Sequence, residues 1–148
     1  MINVLELFAG SRSIGKVADE LGYEVFSVDI NNFEGIDLVK DIEFLTKEDI
    51  PFIPDVIWAS PPCTTYSVMT GVHRDKTTKE PKTEFAAKSD RLVLNTLKLI
   101  KEFNCKYFIE NPRGSLRKMD FMLGIPKTTV WYCTYGDIRA KPTDIWSN

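Results

Sequence analysis

Two short stretches hold residue types that can make and break covalent bonds. The first is Ser60-Pro61-Pro62-Cys63-Thr64-Thr65-Tyr66-Ser67. Two prolines stiffen the backbone just before a cysteine, whose sulfur becomes a nucleophile once its proton is removed. The second is Glu110-Asn111-Pro112-Arg113-Gly114, where a glutamate follows the apolar run Tyr107-Phe108-Ile109. A carboxyl there is partly withdrawn from water, which suits it to hand over a proton. Taken singly, Cys63 reads equally well as a small buried residue in a turn, and Glu110 as an ordinary acid at a strand exit. Taken together on neighbouring strand ends, they read as a nucleophile and its acid. Cys105 and Cys133 fall in or beside expected core elements and read as buried, inert thiols.

A further set of residues could hold a nucleotide-like cofactor. Phe8-Ala9-Gly10-Ser11-Arg12-Ser13-Ile14-Gly15 follows an apolar run; Gly10 permits a tight turn, and Gly15 permits close packing of the next helix on a sheet. A glycine at a strand-to-helix junction is a weak signal alone. Asp29, about 20 residues further at the end of the next strand, strengthens it, because an acid there can bind ribose hydroxyls. The pattern is not G-x-G-x-x-G, which disfavours a nicotinamide cofactor. Asp41 stands where a third strand end could offer a carboxylate to an adenine amino group; alone, it reads as a helix cap or a solvated acid.

The elements that must position these groups alternate in type. Asn3–Leu7 is β-prone, and residues 13–21 place Ile14, Val17, Ala18 and Leu21 along one helical face before Gly22. Strands are expected at 24–28, ending at Asp29, more weakly at 36–39, and at 56–59 between Pro54 and the Pro61-Pro62 pair. Residues 90–103 form the clearest helix, with Leu92, Leu94, Leu97, Leu99, Ile100 and Phe103 on a wide apolar face. Strands follow at 107–109, 129–135 and 143–146. This order predicts an α/β fold: a doubly wound, mostly parallel sheet with helices on both faces and ligands at the carboxyl ends of the strands. The candidate residues all lie just after strands.

Length and composition fit one domain, residues 1–148, with a real core: 148 residues, 43% hydrophobic and 27% charged. No apolar run approaches the roughly 20 residues of a membrane span, and the first residues do not read as a signal peptide. Three cysteines at wide spacing suggest neither a disulfide framework nor a metal site, so a reducing, cytoplasmic setting is expected. The net charge of −2 supplies no global field toward nucleic acid.

Read together, these segments resemble the cytosine-5 DNA methyltransferase family. Leu5-Glu6-Leu7-Phe8-Ala9-Gly10-Ser11 is similar to the family's first motif, which cradles the methionine part of S-adenosylmethionine. Asp29-Ile30 falls where the family has a ribose-binding acid and an apolar residue against adenine, and Asp41-Ile42 resembles its adenine-contacting motif. Pro61-Pro62-Cys63 resembles the catalytic proline-cysteine motif, and Glu110-Asn111-Pro112 the glutamate-asparagine motif. The resemblance implies a Rossmann-like methyltransferase fold with S-adenosylmethionine as cofactor. It also implies a covalent Cys63–C6 intermediate on cytosine, with Glu110 protonating N3 and the base flipped from the duplex. Asn111 would fix loop geometry and Arg139 would contact base or phosphate. The family's basic motif, Gln-x-Arg-x-Arg, is replaced here by Tyr135, Asp137, Arg139 and Lys141, and Arg139 reads equally as a solvated turn residue.

No segment resembles a target recognition domain. The chain is therefore expected to be a fragment or a minimal catalytic core that meets its DNA substrate with a partner subunit or an oligomer. Residues 71–88, with His73, Arg74, Lys76, Lys79, Lys82 and Lys88, form the best internal candidate for phosphate contact, diluted by Asp75, Glu80 and Glu84. His73 is expected to be exposed and chemically silent. Two other readings stand: a catalytically silent, partner-dependent cofactor-binding module, and the same chemistry on RNA or a cytosine nucleotide.

Overall fold

The computed structural model describes residues 1–68 and 71–148. Seven strands form one sheet: β1 (Asn3–Leu7), β2 (Glu24–Asp29), β3 (Leu38–Val39), β4 (Val56–Ala59), β5 (Lys106–Pro112), β6 (Lys127–Trp131) and β7 (Pro142–Ser147). Their order is β3-β2-β1-β4-β5-β7-β6. Neighbours from β3 to β5 are parallel, and β7 runs antiparallel to both β5 and β6. The order reverses direction between β1 and β4, so a crevice opens where their carboxyl ends diverge.

Helix α1 (Ser13–Glu20) and helix α2 (Glu84–Phe103) serve opposite faces. Side chains alternate across each strand. Val4, Val56, Trp58 and Phe108 line a cleft with Ile14, Val17 and Ala18 of α1. Leu5, Leu7, Val28, Ile57 and Ile109 join Val93, Leu99 and Ile100 of α2 in the main core. Each of those fully buried aliphatic side chains contributes roughly 1.5–3 kcal/mol relative to exposure.

Helix α2 begins six residues before the expected start, inside the stretch expected to be loop. Thr83 caps it by accepting a hydrogen bond from the Ala86 N–H at 3.2 Å. Its first turns carry polar residues that pair with neighbours, so the apolar periodicity that marks the later turns is absent there. Asn104 ends it in the left-handed region, φ 51°, with its N–H on the Ile100 carbonyl.

The strand expected over 129–135 is shorter at its far end: β6 stops at Trp131, and Tyr132–Tyr135 turns into a 3-10 helix closed by Gly136 at φ 91°. Cys133 is exposed there, correcting its reading as a buried thiol, whereas Cys105 is half-buried and burial pushes its thiol up. Ile138 is wholly exposed but Trp146 is buried, its face of β7 belonging to the core. Among the described residues, no helix is long and apolar enough to cross a membrane.

Candidate active site

The first turn after β1 is built around two buried acids. Phe8 and Gly10 both take positive φ, 59° and 52°, as the chain leaves the strand. Asp29, at the end of β2, accepts the Gly10 N–H at 2.9 Å on one oxygen and the Asn31 N–H at 2.8 Å on the other. Its orientation is thereby fixed, while each oxygen keeps a further lone pair for a ligand hydroxyl. Glu6, buried in β1, accepts the Ile14 N–H at 3.2 Å and the Ser27 hydroxyl at 2.9 Å.

Gly15 owes its identity to Glu6. A Cβ at Gly15 would lie 2.5 Å from the Glu6 carboxylate, which is itself held on both sides. Close approach of α1 to the sheet was expected from this glycine; the partner it admits is a buried carboxylate. Gly15→Ala is expected to cost about 1–3 kcal/mol of stability, by overpacking. Thermal denaturation of the variant checks this.

A cavity of about 190 Å³ opens beside these acids, lined by Phe8, Asp29, Ile30, Asn31, Asp41, Ile42, Pro62, Lys88 and Leu92. Five of the expected cofactor residues meet here: Phe8, Asp29, Ile30, Asp41 and Ile42. Of the two prolines before Cys63, Pro62 lines the cavity, whereas Pro61 is buried with its carbonyl turned to Asn111. Ala9 is buried behind the turn, and Ser11 opens onto a neighbouring groove with Arg12, Lys16 and Gly35.

Lys88 is the lining residue that sequence reasoning placed elsewhere. Its ammonium donates to Asp41 at 2.6 Å and to Glu43, and lies over the Phe44 ring, so it is no free phosphate contact. Asp41 also caps the 3-10 turn Ile42–Phe44 through the Glu43 N–H. Burial works to raise the Asp41 pKa, but Lys88 and the Glu43 amide outweigh it and hold the carboxyl below its ordinary range. Asp41 therefore stays ionised and able to accept a hydrogen bond. The residues fit an adenosine-bearing cofactor: an apolar slot flanked by two acids, Asp29 and Asp41, each fixed by hydrogen bonds.

Cys63 lies beyond β4 and Glu110 within β5, on adjacent parallel strands paired as far as Ala59 opposite Ile109. Cys63 is exposed and precedes a 3-10 turn, Thr64–Tyr66, whose Tyr66 N–H returns to the Cys63 carbonyl at 3.0 Å. Asn111 is buried and donates to the Pro61 carbonyl at 2.8 Å, tying β5 to the segment before the cysteine. Glu110 is half-buried and, among the described residues, has no hydrogen-bonded partner. The two residues thus lie on the ends of neighbouring parallel strands, the cysteine exposed and the glutamate half-buried.

Arg139 is not drawn toward this pair. In the exposed turn before β7 its guanidinium closes on Asp137 at 2.7 and 3.1 Å, an arrangement that lowers the Asp137 pKa to about 2. His73 is half-buried, with Nδ1 3.1 Å from the Thr83 hydroxyl and its ring edge-on to Phe85, correcting its reading as exposed. Arg74, counted among the phosphate candidates, is buried.

The slot lined by Phe8, Asp29, Ile30, Asp41 and Ile42 thus lies at the carboxyl edge of the sheet, with Cys63 after β4 and Glu110 in the neighbouring β5. Residues 2–121 match the C-5 cytosine-specific DNA methylase family, and the chain belongs to that family. Membership makes S-adenosylmethionine the methyl donor. The chain is 30% identical to a Frog virus 3 protein named "Probable DNA (cytosine-5)-methyltransferase", the match covering 99% of this chain and 71% of that one. The fold is shared with the S. pombe Dnmt2 methyltransferase, at 16% identity and a TM-score of 0.65, covering 99% of this chain and 48% of that one. It is shared too with a prophage-encoded DNA modification methyltransferase from E. coli, at 17% identity and a TM-score of 0.69, covering 99% and 46%. The chain thus spans about half the length of these solved structures.

Proposed function

We propose that this chain is the catalytic domain of an enzyme that methylates carbon 5 of cytosine in DNA through a covalent adduct with Cys63. The observation that supports the reading is an exposed Cys63 after β4, with Glu110 in the adjacent β5, and a slot lined by Asp29, Asp41 and Pro62. Asp29 would hold the ribose hydroxyls and Asp41 the adenine amino group, with Ile30, Ile42 and Phe8 against the ring. S-adenosylmethionine, when bound, supplies an electrophilic methyl group on sulfur.

The chain's own residues act on the base. Cys63, as thiolate, adds to C6 of cytosine while Glu110 gives a proton to N3, so the negative charge of the adduct is neutralised as it forms. Carbon 5 becomes the electron-rich end of an enamine and is the carbon alkylated. Loss of the C5 proton then expels Cys63 and restores the aromatic ring. Asn111 holds the Pro61 carbonyl and so fixes the approach of the segment carrying the cysteine. The target base must leave the helical stack to reach this edge.

The test is incubation of the chain with labelled S-adenosylmethionine and duplex DNA containing 5-fluorocytosine. Fluorine at carbon 5 blocks the last elimination, so a labelled protein–DNA band on a denaturing gel is expected. Turnover of ordinary cytosine in RNA or free nucleotides, with no band on the duplex, would overturn the DNA assignment.

A further inference from the structure

The turn that presents Cys63 is held from behind by a buried ion pair that the chemistry above does not use. Arg74 is 4% exposed. Its Nε donates to the Thr65 carbonyl at 2.9 Å and one Nη to the Thr65 hydroxyl at 3.2 Å. The same guanidinium grips Asp90 of α2 through both carboxylate oxygens, at 2.6 and 3.1 Å. Asp90 in turn accepts the Tyr66 hydroxyl at 2.7 Å, and the guanidinium lies 4.4 Å from the centre of the Tyr66 ring. Burial and the Asp90 carboxylate push the Tyr66 phenol pKa upward, so it remains a donor at every ordinary pH.

Thr65 and Tyr66 are the second and third residues after the cysteine. The segment is therefore fastened on both sides: Pro61 to Asn111 before Cys63, and Thr65 and Tyr66 to Arg74 and Asp90 after it. Gly114 closes the arrangement from β5, since a Cβ there would stand 2.4 Å from the Tyr66 carbonyl. Removing a charge from water costs several kcal/mol, and a pair of apolar residues would fill this space as stably. What apolar residues could not supply is a set of directed donors to one backbone carbonyl and one hydroxyl of the turn.

We propose that Arg74 is a positioning residue for Cys63: its grip on Thr65 and, through Asp90, on Tyr66 fixes the turn that offers the thiol to the base. The proposal rests on the reading of Cys63 as nucleophile. It makes the arginine's geometry matter beyond its charge. Arg74→Lys keeps a cation opposite Asp90 but loses the fork that reaches Thr65.

The experiment compares the full chain with Arg74→Lys, Arg74→Met and Arg117→Met. Arg117 forms a separate ion pair with buried Asp144 of β7, at 2.7 Å, and controls for loss of stability alone. Cofactor affinity by calorimetry, kcat and KM for DNA, and amide hydrogen exchange of residues 63–66 are measured on each.

For Arg74→Lys, kcat is expected to fall about tenfold with cofactor affinity and KM within about twofold, since small misplacement of a reacting group costs rate more than binding. Exchange over 63–66 should quicken roughly tenfold as the turn opens locally, while exchange at 29–31 stays unchanged. Arg74→Met should lose about a hundredfold in kcat, and if it does not fold, Arg74→Lys decides. Arg117→Met should lower Tm and leave both readouts as in the wild type. Unchanged kcat and exchange in Arg74→Lys, or equal losses in Arg117→Met, would overturn the proposal. Full activity of Cys63→Ser in the same assay would remove the nucleophile reading instead, while the exchange data would still report whether Arg74 holds the turn.

Discussion

Cys63→Ser is expected to lower methyl transfer by about 10⁴-fold or more, with affinity for S-adenosylmethionine within about twofold of the wild type. The substitution preserves shape, and Cys63 makes no contact in the described structure that a serine could not tolerate. What it removes is a sulfur nucleophile: a hydroxyl is far less ionised than a thiol near neutral pH. The slot that lodges the cofactor is lined by Pro62, not by Cys63, so binding should persist. Cys133→Ser is the matched comparison, because that thiol is also exposed but lies beyond β6. Methyl transfer to duplex DNA, measured with calorimetry on both variants, checks the pair. A Cys63→Ser protein with undiminished turnover would end the covalent mechanism.

Glu110→Gln is expected to cost about 10²–10⁴-fold in kcat, the usual contribution of a positioned general acid. Glutamine matches the carboxyl in size, and Glu110 is in no ion pair that would be broken, so stability should change little. On the proposed mechanism Glu110 acts on N3 as Cys63 adds to C6, so the variant should be slow in adduct formation itself. The rate at which the 5-fluorocytosine adduct appears separates this from a slow release step. Loss of rate without slower adduct formation would assign Glu110 to elimination, not to addition.

Sequence alone went far toward this picture because the fold is periodic where the chemistry is not. Strands β1, β2, β4 and β5 each carry a short apolar stretch, and the chemically distinctive residues fall toward their ends, where the topology gathers them. The start of α2 escaped because Glu84, Lys88 and Ser89 interrupt the apolar residues of its first turns, and Lys88 is spent on Asp41 and Glu43, partners that the chain's order does not reveal. The same blindness made Arg74 and Lys88 look like free cations. Opposite charges that meet across 16 or 47 residues are invisible to spacing rules. Gly15 and Gly114 were the available signals: each marks a carboxylate or carbonyl approaching closer than a Cβ allows.

The antiparallel strand has a consequence for how the sheet is assembled. β7 sits between β5 and β6, and among the described residues β6 has no other neighbour in the sheet. During synthesis β6 therefore leaves the ribosome before β7, the strand it pairs with, exists. It must wait as an unpaired edge of exposed amides and carbonyls until residues 142–147 follow. Those six residues thus do two jobs at once, sealing one side of the strand that carries Glu110 and recruiting its outermost companion.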